Sequence, residues 1–127
     1  MKASPFLIFQ RDAKAAITLW QRAFPALGVL EMQAHEERPQ TGQIAAAQIR
    51  LGGLQWPLSN SPAAVAFSFT PPTSIFVDCE DKAQLPRLAD TFGKDGETYM
   101  PIDNHGFSRL FTWIAGRFDV GWQLNLP

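Results

Sequence analysis

The feature that most constrains the fold of this chain is a weak internal duplication. Residues 5–58 align with residues 73–126 without a gap when the chain is shifted by 68 positions. Nine of the 54 aligned pairs are identical: Lys14/Lys82, Ala15/Ala83, Phe24/Phe92, Gly28/Gly96, Met32/Met100, Ala47/Ala115, Gly53/Gly121, Gln55/Gln123 and Leu58/Leu126. The same shift aligns predicted helix with helix and strand with strand, so we interpret the chain as two copies of one unit.

The first copy predicts one helix among four strands. Its elements are a strand at Pro5–Phe9, a helix that Asp12 caps and Pro25 ends, and strands at Val29–Ala34, Ile44–Leu51 and Leu54–Leu58. A polar turn over residues 35–39 with Thr41-Gly42 and a two-residue turn at Gly52-Gly53 connect the last three strands. The predicted order is therefore β-α-β-β-β.

The second copy predicts the same order. Its elements are a strand at Ser74–Cys79, a helix from about Asp81 to Phe92, and strands at Glu97–Ile102, Leu110–Ile114 and Val120–Leu126. Pro86 leaves two alternatives, because proline is costly inside a helix: either a first turn ends there or the main helix begins near Leu85. We interpret residues 59–72 as a connector that Phe67 and Phe69 pack against the rest.

The last strand has a strict alternation. Trp122, Leu124 and Leu126 alternate with Gly121, Gln123 and Asn125. A strand of this kind packs one face on a core and presents small and amide groups on the other. The second face is where we expect function.

Composition limits the classes of protein to which the chain can belong. Its 127 residues are enough for one domain with a proper core, and 46% apolar against 18% charged residues indicates a globular chain. A net charge of −1 without a basic stripe argues against nucleic acid and membrane surfaces as partners. No stretch is predicted to be a signal peptide or to span a bilayer. Cys79 is the only cysteine, so we expect no internal disulfide and a cytoplasmic location.

Six segments carry a resemblance to a known family: Pro5–Phe9, Phe67–Pro71, Ser74–Cys79, Met100–Asp103, Gly106–Ser108 and, most specifically, the ending Gly121–Leu126. In these segments the chain resembles the PhnB-like family of the vicinal oxygen chelate superfamily, which includes glyoxalase I, bleomycin-resistance proteins and extradiol dioxygenases. The resemblance covers nearly the whole chain. It implies an α+β fold in which two βαβββ modules form curved mixed sheets with the helices on the convex side.

The resemblance also implies a domain organisation and an oligomeric state. The chain is expected to be a single glyoxalase-like domain of two repeats, about 5–58 and 73–126, joined by the connector 59–72. The concave strand faces would line a cleft, and members of the family often pair as homodimers.

Metal-dependent relatives take four ligands from the first and last strands of the two modules, so the resemblance points to Gln55 and Gln123 and to positions near Pro5–Phe6 and Thr73–Ser74. Neutral amides and a hydroxyl are poor ligands for Fe(II), Mn, Ni or Zn. We therefore predict no metal and no other cofactor. Two alternatives stay open for Gln55 and Gln123: they hold a polar ligand in an apolar cleft, or they bond each other or nearby backbone and only specify the fold.

Other candidates each have two interpretations. His105, in the polar loop Asp103–Gly106, is either a residue at the cleft mouth able to act as a general base or an exposed turn residue. Trp56 and Trp113 are either flat walls of the cleft or core. Arg109 and Arg117 either anchor an anionic ligand or lie on the surface.

Two further residues are predicted to have no catalytic role. His35 has no second histidine four residues later, which excludes a metalloprotease motif and indicates a solvated turn. The thiol of Cys79 has acidic neighbours, which raise its pKa, so we do not expect an activated nucleophile.

Members of this family are sometimes labelled 3-demethylubiquinone methyltransferases, but the residues do not support that activity. A dinucleotide-like S-adenosylmethionine site would need a glycine-rich strand-to-helix loop, and both junctions here, 10–12 and 79–81, lack glycine.

The sequence thus predicts a metal-free protein that binds a small apolar or aromatic molecule, with Gln55, Gln123, Trp56, Trp113, Ser74, His105 and Arg109 as ligand-binding residues. Two alternatives are an enzyme of the superfamily, using either a metal or His105 as a base, and an interaction module whose cleft is filled by Trp56, Trp113 and Phe111.

Overall fold

A computed structural model describes residues 1–36, 41–61, 63 and 65–127. The chain divides into two compact units, Met1–Phe67 (unit 1) and Ser68–Pro127 (unit 2). Unit 1 contains β1 (Leu7–Phe9), α1 (Ala13–Ala23), β2 (Gly28–Ala34), β3 (Ile44–Leu51) and β4 (Leu54–Asn60). Unit 2 contains β5 (Ser74–Asp78), α2 (Gln84–Gly93), β6 (Glu97–Asp103), β7 (Leu110–Ala115) and β8 (Gly121–Leu126). The predicted element order is confirmed, with ends that differ by a few residues.

Each unit builds one mixed four-stranded sheet with the same strand order. The orders are β1-β4-β3-β2 and β5-β8-β7-β6. The first strand runs parallel to the last in each sheet, and the remaining neighbours are antiparallel. This topology confirms the predicted α+β class of two βαβββ modules.

In unit 1 the helix covers one face of the sheet. Five residues of α1 at helical spacing are buried: Ala13, Ala16, Ile17, Trp20 and Ala23. Ile49 and Trp56, which are directly paired across β3 and β4, and Leu58 are also buried. These apolar side chains form the core of unit 1.

In unit 2 the helix packs on the Trp122 face of β8. Leu85, Leu88 and Phe92 are the buried residues of α2. The rings of Phe92 and Trp122 stack with centroids 4.4 Å apart and planes 5° apart. Trp122, Leu124 and Leu126 are buried, whereas Gln123 and Asn125 are half-buried, which confirms the predicted alternation.

The start of α1 is capped by a different residue from the one predicted, and α2 is capped from its own adjoining turn. Asp12 occupies the N-cap of α1, but its side chain makes no cap hydrogen bond. Instead, Asn60 Oδ1 at the end of β4 accepts a hydrogen bond of 3.1 Å from the backbone N–H of Ala13. In α2, Asp81 Oδ1 accepts from the N–H groups of Ala83 and Gln84, at 2.9 and 2.8 Å.

The two alternatives left by Pro86 are resolved by the start of α2 at Gln84. Pro86 is then the third helical residue, in a first turn whose N–H groups have no partner within the helix, so the missing donor costs little.

The predicted turns and connector have mixed outcomes. Gly52 and Gly53 form the predicted turn, with φ of 59° and 84° that favour glycine. The polar turn over residues 35–39 lies partly outside the described residues, which omit 37–40. The prediction that Phe67 packs the connector down is wrong, because its side chain is 67% exposed. Phe69 is half-buried.

Neither described helix has the length and apolarity needed to cross a membrane.

Candidate functional site

Strand register defines an open face of unit 2 on the side of the sheet away from α2. Gln123 of β8 is paired with Phe76 of β5 and with Trp113 of β7. Directly paired residues, and residues two positions apart on one strand, share a face. Ser74 and Phe111 therefore lie on this face as well. We call these five residues, Ser74, Phe76, Phe111, Trp113 and Gln123, the Gln123 face.

A hydrogen-bonded polar pair lies on this face. Gln123 Nε2 donates to Ser74 Oγ at 2.7 Å, and both side chains are half-buried. The structure thus brings together two residues that the sequence analysis selected 49 positions apart. Gln123 Oε1 and the hydroxyl hydrogen of Ser74 have no partner among the described residues, so each can still bond a ligand.

Aromatic side chains surround the pair. Phe76 and Phe107 are 55% and 62% exposed, and their rings lie 6.4 and 4.9 Å from that of the buried Phe111. The ring of Tyr99, which is 39% exposed, lies 5.3 Å from that of Trp113. Sequence reasoning missed Phe76, Tyr99 and Phe107. The strand period could have indicated Phe76, because residues 74, 76 and 78 of β5 point to the same face and Ser74 was already a candidate.

The two candidate tryptophans lie in different environments. Trp113 is half-buried on the Gln123 face, and its Nε1 is buried without a partner in the described part of the chain. Leaving such a donor unpaired costs roughly 1–3 kcal/mol. Trp56 is 3% exposed and shares the α1 side of its sheet with Ile49. Its position is in the core of unit 1, on the opposite face of the sheet from Gln55.

Gln55 lies on the open face of unit 1, where it is paired with Arg50. Its Nε2 is 3.5 Å from Gln48 Oε1, a long hydrogen bond, and the side chain is half-buried. Arg50 is exposed. The aligned residues Gln55 and Gln123 therefore have different partners: an amide beside a cation in unit 1, and a hydroxyl among aromatic rings in unit 2.

The loop between β6 and β7 places His105 against the aromatic side chains. Its Nε2 is 2.7 Å from the carbonyl oxygen of Pro101, and its ring lies 6.1 Å from that of Phe107 and 6.0 Å from that of Phe111. His105 is half-buried and adopts a φ of 52°, which is uncommon for a residue other than glycine. These contacts fix the imidazole in one place beside the Gln123 face.

The arginines are placed elsewhere. Arg109 is exposed, and its Nε donates to the carbonyl oxygen of Pro127 at 2.7 Å. Arg117 is exposed as well, with its guanidinium carbon 4.6 Å from the centroid of the Phe118 ring. The geometry therefore ties Arg109 to the residue that follows β8.

The fold partly or fully buries His35 and Cys79, the two residues predicted to have no catalytic role. His35 is half-buried, with Nε2 3.2 Å from the carbonyl oxygen of Asn60, so it is more enclosed than a solvated turn residue. Burial raises the pKa of the Cys79 thiol to about 11, with smaller upward contributions from Asp78 and Asp81. The prediction of an unactivated thiol is confirmed, but burial is the main cause and the acidic neighbours are secondary.

The donor atoms do not fit a transition metal. Gln123 and Ser74 contribute a neutral amide and a hydroxyl that already bond each other. Asp78, a carboxylate on the same side of β5, accepts from Asn125 Nδ2 at 2.8 Å. Within the described residues, no three His, Cys, Asp or Glu side chains gather as a metal site would require.

The topology and the comparisons assign this chain to a superfamily and to one family within it. Two βαβββ modules, each with its first strand parallel to its last, define a glyoxalase-like protein of the vicinal oxygen chelate superfamily. The chain belongs to the PhnB-like family, whose model, described as 3-demethylubiquinone-9 3-methyltransferase, matches residues 1–125. No curated protein matches the sequence.

Solved structures support this assignment. The PhnB protein from Bacillus cereus is 26% identical, with 100% of each chain covered and a TM-score of 0.93. Protein PA1353 from Pseudomonas aeruginosa is 21% identical over 99% of this chain and 97% of its own, with a TM-score of 0.85. The fosfomycin resistance protein FosX from Listeria monocytogenes, solved with Mn(II) and 1S,2S-dihydroxypropylphosphonic acid, is 9% identical over 100% and 92%, with a TM-score of 0.66. The last two similarities concern the fold alone.

A methyltransferase, as the family model is described, needs a methyl donor. The residues of this chain do not fit a nucleotide-type cofactor site for such a donor. Such sites commonly use a glycine-rich loop and free N–H groups at a helix start. Here the start of α1 is bonded by Asn60 and the start of α2 by Asp81. Neither strand-to-helix junction contains glycine.

Proposed function

We propose that this chain is a small-molecule-binding protein of the glyoxalase/bleomycin-resistance fold that holds an apolar or aromatic ligand on the Gln123 face. One observation carries the proposal: Phe76, Tyr99 and Phe107 stay 55%, 39% and 62% exposed around a polar pair. Aromatic side chains exposed together in this way typically mark a binding surface. The binding works without a metal, because the amide and hydroxyl groups present are donors and acceptors for a ligand and poor metal ligands.

The physical basis of binding is apolar contact with polar orientation. Each Å² of apolar surface removed from water contributes about 25 cal/mol, and well-placed aromatic pairs add roughly 0.5–1.5 kcal/mol. Gln123 Oε1 and the Ser74 hydroxyl then set the orientation of the ligand, as a few polar groups do in most small-molecule sites.

We also propose that the chain is a cytoplasmic homodimer. The exposed apolar side chains Leu30 and Met32, 44% and 47% exposed on the edge strand β2, support the dimer, since a second copy could cover them. The free thiol of Cys79 supports a reducing compartment. Sedimentation equilibrium tests the dimer: the expected mass is twice the 14.1 kDa of one chain, and a single-chain mass at high micromolar concentration would contradict it.

Titration of ¹⁵N-labelled protein with naphthalene, followed through the four tryptophan indole N–H signals, tests the ligand site. We expect the Trp113 signal to move and the signal of Trp20, which is 1% exposed in the core of unit 1, to stay. Trp→Phe variants assign the signals.

Two phenylalanines provide a matched pair for this titration. Phe76→Ala should weaken binding about fivefold, because it removes an exposed ring from the Gln123 face. Phe67→Ala removes a ring in unit 1 that is 67% exposed and should leave the affinity unchanged. An unmoved Trp113 signal, or equal effects of the two substitutions, would contradict the proposed site. Chemical conversion of a bound probe would instead indicate an enzyme.

A further inference from the structure

The hydrogen bond of His105 determines which of its ring nitrogens is free. Nε2 lies 2.7 Å from the carbonyl oxygen of Pro101, and a carbonyl can only accept. Nε2 therefore carries a proton, and in the neutral imidazole Nδ1 is left as an acceptor. No residue in the described part of the chain donates to Nδ1.

The loop holds this acceptor in place through its own hydrogen bonds. The backbone N–H of Gly106 donates to Asn104 Oδ1 at 3.0 Å, and the N–H of Phe107 donates to the Asn104 carbonyl at 3.2 Å. The imidazole lies nearly parallel to the ring of Phe107, at 23°, and edge-on to that of Phe111. A hydrogen-bond acceptor is thus positioned beside the exposed ring of Phe107 and the buried ring of Phe111, next to the Gln123 face.

The charges of unit 2, all of whose residues the structure describes, disfavour an anion on the Gln123 face. Lys82, Arg87 and Lys94 lie in or beside α2, which packs on the other face of the sheet. The two remaining cations, Arg109 and Arg117, contact the Pro127 carbonyl and the Phe118 ring. The face itself adjoins the carboxylate of Asp78, which would repel a negative ligand.

We propose that the Gln123 face selects neutral aromatic molecules that carry a hydroxyl group, with His105 Nδ1 accepting the hydrogen bond of that hydroxyl, and discriminates against aromatic carboxylates. This selectivity rests on the proposed function, since it requires that an aromatic ligand binds the face. It adds the chemical class of the ligand and a specificity-determining residue.

Three probes with one ring system test the selectivity: naphthalene, 2-naphthol and 2-naphthoate, titrated at neutral pH against the Trp113 indole signal. We expect 2-naphthol to bind about tenfold more tightly than naphthalene, as one additional hydrogen bond from a fixed acceptor allows. We expect 2-naphthoate to bind more weakly than either. In His105→Phe, which retains a ring but no acceptor, 2-naphthol and naphthalene should bind within about twofold of each other.

The other histidine of the chain supplies the control. His35 also has its Nε2 beside a backbone carbonyl, and His35→Phe should leave the preference for 2-naphthol intact. Equal binding of naphthalene and 2-naphthol by the unmodified protein, or tightest binding of 2-naphthoate, would overturn the inference and leave the proposed function standing. A loss of naphthalene affinity in His105→Phe as large as the loss of 2-naphthol affinity would show that His105 only packs the loop, which also overturns it. Failure of all three probes to bind would reject the proposed function itself.

Discussion

The open faces of the two sheets differ more than their shared topology suggests. In unit 1, Gln55 lies beside Gln48 and the exposed Arg50, and its hydrogen bond is 3.5 Å long. In unit 2, Gln123 makes a 2.7 Å hydrogen bond to Ser74 among aromatic rings. The same residue type at the same topological position therefore lies on a polar, charged surface in one unit and on an aromatic-rich surface in the other. Topology places a residue, whereas its cross-strand neighbours decide what the residue can do.

The largest predicted difference between the units concerns an aligned pair of glycines. A Cβ on Gly96 would overlap the carbonyl oxygen of Ala115, whereas a Cβ on Gly28 would have its nearest neighbour at 3.8 Å. We expect Gly96→Ala to lower the free energy of unfolding by roughly 3 kcal/mol, because the overlapping atom is backbone and β6 must move away from β7.

Gly28→Ala should stay within about 1 kcal/mol of the unmodified protein. Urea unfolding followed by circular dichroism checks both variants. Equal effects would mean that the close approach of β6 and β7 in unit 2 is not a constraint on stability.

The second prediction compares how the two helices are capped. Asn60, which is 1% exposed, caps α1 from 47 residues away, whereas Asp81 caps α2 from the adjoining turn. Asn60→Ala should cost about 2 kcal/mol, since it removes the cap of a buried helix start and leaves the Ala13 donor unpaired.

Asp81→Ala should cost about 1 kcal/mol, because water can replace the side chain at an exposed helix start. Chemical denaturation of both variants measures the two values. A larger loss of stability in Asp81→Ala than in Asn60→Ala would contradict the expectation that the Asn60 cap contributes more.

The third prediction uses the aligned glutamines. Gln123→Ala should weaken the binding of 2-naphthol roughly fivefold, because it removes an acceptor beside the aromatic rings and releases the Ser74 hydroxyl. Gln55→Ala should change the affinity by less than about twofold, since Gln55 faces Arg50 and Gln48.

Calorimetric or NMR titration of the two variants at one temperature compares them. If Gln55→Ala had the larger effect, the ligand site would have to be assigned to unit 1.

The smallest expected effect on stability concerns Cys79, which lies in the junction between β5 and α2. The shift by 68 aligns the exposed Arg11 with the buried Cys79, whose thiol pKa is raised from 9.0 to about 11 by burial. Because the folded protein disfavours the thiolate, this group contributes stability that is complete below pH 9 and is lost as the pH rises through 11.

Two measurements on Cys79 check this. Thiol labelling at pH 8 should be far slower in the folded protein than in urea, and Cys79→Ala should lose less stability than the unmodified protein between pH 9 and 11. Rapid labelling of the folded chain would show that the thiol is accessible and ionised.

Much of the fold could be predicted because its signals are local. The alternation of Trp122, Leu124 and Leu126 predicted a half-buried strand, and the structure buries these three residues. The site was harder to predict. Gln123 and Ser74 followed from a resemblance. The alternation of β5 places Phe76 on the face of Ser74, but no local pattern separates the exposed ring of Phe107 from a buried one. Trp56 and Trp113 both lie in predicted strands, and only the pairing with their neighbours assigns one to the helix side of its sheet and the other to the open side.

The sequence by itself determined the order of elements, the two-residue turn at Gly52-Gly53 and the inward side of β8, because each depends on backbone preferences and periodicity within a few residues. Tertiary structure alone decided that Asn60 caps α1 and that Gln123 bonds Ser74. These contacts depend on which atoms the register of the sheets brings within 3.1 Å of each other, and no spacing along the chain encodes that distance.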